Sequence, residues 1–468
     1  MIGLHNIGFK NIGFQNIEFQ NDVKGLLSAG LVAITLAGCG SSEDERFQTY
    51  ATGRLTISTQ TDSTTDFSGF EVLLAAQYDG DVDTLAIAVT DVNGDFELEI
   101  SARESGVYPL IVRRAGVELS TSQFVVAQGD TSQISGSFPL NGRRLRIVSP
   151  ENASWMAYIN SKAQYSLSMV DMLETGDSAH LSIPQISEQT ASMLWSLRDL
   201  YPGTYGAELA SVESVQMLEG WNDALAVDHV LDLDLDNPHI VDAVRAARRS
   251  EARIAGQEAS INLINYFLQN IQDIDRKASL AAELVVAHTD SLNRQAALEA
   301  ALTLRRDYPD SKWSEWATRA AYEVENLLPG MPAPPFSVVT RDGEIFSLSD
   351  AADRFFVLEF YEPRSRIFQQ ELAERDIVFQ AMNPLVFTTL SISMEPDRDI
   401  NEALFEENVH AGAFAYASEQ SLDIGAAYNI HVLPTRFLID RDGYIMGKYS
   451  GYGLRPLEED LVAIVRGN

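Results

Sequence analysis

The chain has 468 residues, 45% of them apolar, with 34 basic against 67 acidic side chains and a formal charge of -33. Such an acidic excess excludes nucleic-acid binding through clustered Lys and Arg and argues against adsorption to anionic lipid. The length predicts about two to four domains, the composition excludes wholesale disorder, and a single cysteine excludes any intramolecular disulfide.

Residues 1–22 contain four five-residue units, GLHNI, GFKNI, GFQNI and EFQND. They are too short to stack as a structural repeat, so translation is expected to start at Val23. Val23-Lys24 then leads into the apolar run Gly25–Gly38, which ends in Leu36-Ala37-Gly38-Cys39. A basic flank, a short apolar run and small residues before a cleavage point predict a signal peptide over 1–38, too short to span a bilayer. The last four residues resemble the bacterial lipobox, which implies acylation of Cys39 and a lipidated linker over 39–50. Each buried acyl methylene contributes about 0.8 kcal/mol to anchoring. Gly40-Ser41 has no Asp at the second mature position. This resembles outer-membrane sorting and implies a lipid-anchored protein of the bacterial cell envelope, facing the periplasm.

From 51 to 148 the apolar residues alternate, as in Leu55/Ile57, Val72/Leu74, Leu85/Ile87/Val89, Phe96/Leu98/Ile100 and Phe124/Val126. Turn pairs such as Asn93-Gly94 and Gly129-Asp130 separate the runs, predicting an all-β sandwich. The segment DVNGDFELEI…GVYPLIV resembles prealbumin-like β-domains. Asp91, Asn93 and Asp95 have half the look of a calcium loop, but Gly94 is the fourth residue where such a loop needs its glycine sixth. An Asn-Gly hairpin turn is expected instead.

From 150 to 327 the period becomes 3.6. Ile186, Met193, Leu197 and Leu200 are expected on one helix face, and Ile261, Ile264, Leu268 and Ile271 on another. Two helices end alike, at Tyr201-Pro202 and Tyr308-Pro309, with Asp310 or Ser311 as N-cap of the helix that follows. YPDSKWSEWATRAAYEVENL resembles a tetratricopeptide-like (TPR-like) hairpin. The two copies lie 107 residues apart, which fits no regular array of about 34. An irregular α-helical domain is expected, with Trp195, Trp221, Trp313 and Trp316 in its core. Leu231–Asp236 alternates Leu and Asp before His239. It is expected as a solvated edge or loop ending at Pro238, while Asp232, Asp234, Asp236 and His239 are the one place a cation-assisted reaction could sit. The scattered His180, His229, His288, His410 and His431 form no metalloprotease motif, and the usual nucleophile-elbow and phosphate-loop signatures are missing.

The proline-rich joint Leu328–Pro335 opens the last domain, 328–468. Here Gly330-x-x-Ala333-Pro334-x-Phe336, the Thr340–Ser349 hairpin, the strand Val357–Phe360, the buried strand Leu385–Ile392, Val432-Leu433-Pro434-Thr435 and the strand entering Asp440-Arg-Asp-Gly443 succeed one another. In this order they resemble the thioredoxin-like (TlpA and AhpC/TSA-like) superfamily of α/β fold. The resemblance places Tyr361 before the active-site turn, Ser365 and Phe368 at the two cysteine positions, and Pro434 with Thr435 at a cis-proline opposite them. Thiol exchange needs a thiolate; the Ser365 hydroxyl is a far weaker nucleophile with no adjacent base, and Phe368 removes the resolving position. No catalytic residue, cofactor or metal is therefore expected. Arg364 and Arg366 flank Ser365 where a helix N-terminus already favours anions, and an acidic or extended segment of another envelope protein or peptide is the expected partner. Three readings result: a redox-inactive scaffold, a metal-dependent enzyme, or a thioredoxin-pathway component that relies on a partner's thiols.

Overall fold

The computed structural model describes residues 46–58, 64–78, 81–175, 182–406 and 409–467. Cys39, the signal segment, the pentapeptide units and His180 lie outside the described residues. The chain divides into one unit within Val32–Leu280 and another within Ala281–Asn468.

The first unit opens with β1 (Phe47–Ile57), β2 (Phe70–Tyr78), β3 (Asp81–Val89), β4 (Asp95–Ala102), β5 (Gly106–Arg114), β6 (Val117–Val126), β7 (Thr131–Phe138) and β8 (Arg146–Val148). They form two four-stranded sheets, ordered β4-β1-β7-β8 and β3-β2-β5-β6. Leu55, Leu98 and Ile134 of the first sheet and Val72, Leu110 and Phe124 of the second belong to one buried cluster. Each such side chain contributes about 1.5–3 kcal/mol on burial. Two expectations change. The β2–β3 register shifts between Leu74 and Ala75, skipping Leu85, so Ile87 and Val89 turn outward and are 59% and 62% exposed. The Asn93-Gly94 turn is not a hairpin within one sheet, because it carries the chain from β3 in one sheet to β4 in the other. Gly94 holds φ +82 with its Cα side against the Leu55 carbonyl, and Asp95 is engaged by Arg54 at 2.6 and 2.7 Å.

The helices come next: α1 (Pro150–Thr175), α2 (Ile183–Leu200), α3 (Tyr205–Leu218), α4 (Asp223–Leu231), α5 (Ile240–Ala255), α6 (Gln257–Asn270) and α7 (Ile274–Asp290), within which the two units divide. Asn152 fastens α1 to β6, accepting from the Val125 amide at 2.9 Å and donating to the Val125 carbonyl, Ser132 and Ser149. The buried face of α2 centres on Ile186, Thr190, Leu194 and Leu197. Met193 and Leu200 lie on its rim, 41% and 67% exposed, because the true stripe is rotated from the one the apolar spacing suggested. None of Trp195, Trp221, Trp313 and Trp316 is fully buried; Trp221 is 49% exposed, and Trp195 stacks on His229 at 3.7 Å.

Leu231–Asp236 is a solvated loop, as expected, and not an edge strand. Leu231 closes α4, and the next residues turn, with the Asp236 amide donating to Asp234 Oδ1. Asp232 pairs with Arg198 at 2.8 Å, and His239 caps α5 with Tyr205 edge-on to its ring. The three carboxylates do not converge, and among the described residues no group of three or more His, Cys, Asp or Glu could hold a metal ion.

The second unit begins in α7 and continues through α8 (Arg294–Asp307) and α9 (Lys312–Asn326). Tyr201 and Tyr308 end their helices with nearly equal backbone angles and the same amide bond back to a leucine, and Ser311 caps α9. Helix α9 is tied to the C-terminal part of the same unit: Glu323 accepts from Lys448 at 2.9 Å, and Tyr322 donates to the Ala427 carbonyl. The proline-rich joint is likewise paired, its Gly330 and Ala333 amides donating to the carbonyls of Ile445 and Gly443. The rest comprises β9 (Ser337–Val339), β10 (Ile345–Ser347), β11 (Phe355–Tyr361), α10 (Arg366–Ala381), β12 (Phe387–Ser393), α11 (Arg398–Ala403), β13 (Ala413–Tyr416), α12 (Ile424–Ala427), β14 (Thr435–Ile439), β15 (Ile445–Ser450) and α13 (Leu454–Gly467). The five-stranded sheet runs β13-β12-β11-β14-β15, with β11, β12 and β13 parallel and β14 and β15 antiparallel.

Helices α1 and α3 cross with their backbones in contact at Gly206, where a Cβ would lie 2.6 Å from the Trp155 amide nitrogen. Gly206→Ala is expected to destabilise this unit by about 1–3 kcal/mol through overpacking, read as a lower urea midpoint.

Candidate functional site

Strand β11 is buried along Phe356–Tyr361 and leaves the sheet through Glu362-Pro363-Arg364. The Ser365 amide donates to the Glu362 carbonyl at 3.0 Å and Gln369 Nε2 to the Pro363 carbonyl at 2.6 Å, closing the turn. Ser365 is the N-cap of α10, its hydroxyl accepting from the Phe368 amide at 3.5 Å. That use fits serine's cap preference and occupies the hydroxyl that would otherwise face solvent. Three residues on, Phe368 is fully buried and stacks on Tyr361 with ring centroids 4.4 Å apart, against Phe414. Burial, then the neighbouring Glu359 charge, keeps the Tyr361 phenol protonated well above the usual range.

Arg364 and Arg366 are exposed at this helix start, and neither pairs with a carboxylate among the described residues. The Leu433–Pro434 bond is cis, as the resemblance implied. Pro434 is buried, and the Thr435 hydroxyl is held by the Val432 carbonyl and Ser450, at 2.7 and 2.9 Å. The β11–β14 register pairs Thr435 with Phe360, which brings Pro434 beside Tyr361, where β11 ends. Pro434 leads into β14 on one flank of β11; on the other, a cleft of about 420 Å³ is lined by Pro363, Arg364, Leu372, Leu404, Glu406 and His410 without either Pro434 or Thr435.

Beneath the turn lies a cluster that reading the motifs missed. Glu359 is wholly buried in β11, with Oε2 accepting from Arg375 of α10 at 2.7 Å and from the Ser391 hydroxyl of β12 at 2.7 Å. Its Oε1 accepts from Arg436 of β14 at 2.8 Å, and Arg436 reaches on to Glu371 at 2.8 Å. Arg375 also donates to Asp376 at 2.6 Å, and Asp376 meets His410 Nδ1 at 2.6 Å. Burial alone would raise Glu359; Arg375, Arg436 and the Ser391 hydroxyl outweigh it and hold the carboxyl down to about 2. A readable sign existed: Glu359 in VLEFY and Arg436 in TRFLI are lone charges inside apolar strands, and they are direct partners in the β11–β14 register.

Residues 329–448 match the family model described as AhpC/TSA. This part of the chain is an AhpC/TSA thioredoxin-like domain. Similar solved structures include a thiol-disulfide oxidoreductase from Bacteroides fragilis, 23% identical, covering 28% of this chain and 98% of that one at a TM-score of 0.25. StoA from Bacillus subtilis is 19% identical over 27% of this chain and 96% of that one, TM-score 0.25. The pneumococcal exposed lipoprotein thioredoxin Etrx1 from Streptococcus pneumoniae is 14% identical over 27% and 99%, TM-score 0.24. No curated protein matches the chain.

Removing the carboxylate while leaving two guanidiniums buried is the costly change. Glu359→Gln is expected to destabilise the domain by about 3–5 kcal/mol near neutral pH. Because the folded pKa is depressed, this stabilisation is present above the ordinary carboxyl value of 4.5 and is lost as pH falls toward about 2. Urea unfolding of both proteins across that range, read by hydrogen exchange in α10, should show the difference shrinking with acidity.

Proposed function

We propose that the protein is a lipid-anchored envelope lipoprotein whose thioredoxin-like domain binds a partner and performs no thiol exchange. The observation that carries this reading is the occupation of both cysteine positions by structural groups. Ser365 caps α10, and Phe368 fills the space between Tyr361 and Phe414. With one cysteine in the whole chain, at the expected acylation site, neither a resolving thiol nor an attacking one is supplied by this molecule.

Support for docking comes from the surface that remains. In a chain of charge -33, Arg364 and Arg366 stand without carboxylate partners among the described residues, next to a cleft with an apolar floor. An acidic or extended partner segment fits that combination, the arginines offering charge-assisted hydrogen bonds. The two-sheet region, in its prealbumin-like sandwich reading, and the TPR-like hairpins belong to the same proposal as further scaffolding surfaces.

Two outcomes test it. A photo-crosslinking residue at Gln369, which lines the cleft, should trap a specific adduct in envelope fractions, and Arg364→Glu with Arg366→Glu should reduce its yield about tenfold or more, the equivalent of one lost charge-assisted bond. An unchanged yield in the charge-reversed protein would remove the docking site. For the anchor, Cys39→Ser should leave an unacylated precursor released from the membrane; undiminished retention would refute lipidation.

A further inference from the structure

We propose that His410 is a protonated clasp that holds the end of α11 against α10, making the cleft beside Arg364 dependent on pH. The ring is nearly enclosed, its side chain 4% exposed. Its Nδ1 lies 2.6 Å from Asp376 Oδ2 and its Nε2 2.9 Å from the Leu404 carbonyl oxygen. The carbonyl can only accept. Asp376 is also engaged as an acceptor, because its Oδ1 takes hydrogen bonds from Arg375 at 2.6 Å and from the Ala411 amide at 3.1 Å. Two acceptors facing two ring nitrogens are both satisfied only when both nitrogens carry a proton. A neutral ring leaves one of them lone pair against lone pair.

Charge balance points the same way. The connected interior holds three carboxylates, Glu359, Glu371 and Asp376, against two guanidiniums, Arg375 and Arg436. A protonated His410 makes the set neutral. Of the charged groups around it, Asp376 on α10 contacts the ring and is itself paired with Arg375, while Glu406 and Arg364 line the same cleft as His410. Phe405 and Phe414 pack on it edgewise at 5.6 and 6.3 Å, with Arg341 stacked on Phe405 and paired with Glu402 at 2.9 Å.

Leu404 and His410 both line the cleft, so the clasp sets where that wall stands. Its sign is fixed by the chemistry: the stabilisation is complete while the ring keeps its second proton and disappears as rising pH removes it. The effect on docking rests on the function proposed above, whereas the clasp itself does not.

The test is amide hydrogen exchange on the full chain from about pH 5 to about pH 9, bracketing the ordinary imidazole range near ~6.5. Rates are corrected for their intrinsic pH dependence and followed in peptides covering α11. Protection there should fall about tenfold or more as pH rises, the loss of one charge-assisted hydrogen bond, while peptides from β1 and β7 do not respond. His410→Gln should abolish the dependence, with low protection throughout. Protection that stays constant with pH, or a dependence that persists in His410→Gln, overturns the clasp. Should the variant fail to fold, nitrogen-15 NMR of the wild-type ring, assigned through its contacts with Phe405 and Phe414, decides the matter; a single ring proton at about pH 5 refutes it. Failed crosslinking at Gln369 with pH-responsive exchange removes docking alone, and pH-insensitive exchange with successful crosslinking removes the clasp alone.

Discussion

A carboxylate with no access to water, Glu359, is the constraint on which the C-terminal domain depends. Removing an ion from water costs several kcal/mol, and only close, well-aligned partners repay it. Here those partners come from three other elements: Arg375 from α10, Arg436 from β14 and Ser391 from β12. Satisfying one carboxylate therefore fixes the position of α10 over the sheet, and with it the place where Ser365 caps and Arg364 emerges. The network is not a pure stability device, because Arg436 Nη2 is left buried without a partner. Its value lies in specifying one arrangement of helix and strands, since any slip of β14 against β11 would separate Glu359 from the residue directly opposite it.

This accounts for which features were legible in the sequence. The strands of the C-terminal domain are local signals, legible as apolar runs, whereas its cis peptide at Pro434 and the helix start at Ser365 are legible only through the family resemblance. The ionic interior is nonlocal. Glu359 and Arg436 lie 77 residues apart, and only strand pairing makes them neighbours. The same limit explains the errors elsewhere. Ile87 and Val89 alternate correctly with Leu85, yet a single bulge turns them outward. Asp232, Asp234 and Asp236 alternate as a strand would, yet they come after the last turn of α4, where Asp232 pairs with Arg198 and Asp234 accepts from the Asp236 amide. Periodicity describes a segment in isolation; a bulge or a helix end decides which way that segment faces.

The turn from β11 into α10 is held by aromatic packing and a helix cap. Phe368 contributes a ring stacked on Tyr361 and in contact with Phe414. Aromatic pairs of this geometry add about 0.5–1.5 kcal/mol beyond area burial. The Ser365 hydroxyl accepts from the Phe368 amide, so both side chains reinforce the first turn of α10. The ions beneath are held separately, by Arg375, Arg436 and Ser391 around Glu359.

Many of the chain's arginines are spent on its own carboxylates: Arg249 on Glu219, Arg253 on Asp223, Arg341 on Glu402 and Arg398 on Glu419. Arg364 and Arg366, like the exposed Arg143, Arg144 and Arg146, have no such partner among the described residues, and Arg364 keeps its donors at one edge of a cleft. On the opposite edge His410 turns both nitrogens inward, to Asp376 and the Leu404 carbonyl. One side of the cleft thus offers free donors to a visiting segment, and on the other the His410 ring is already engaged by the protein's own acceptors.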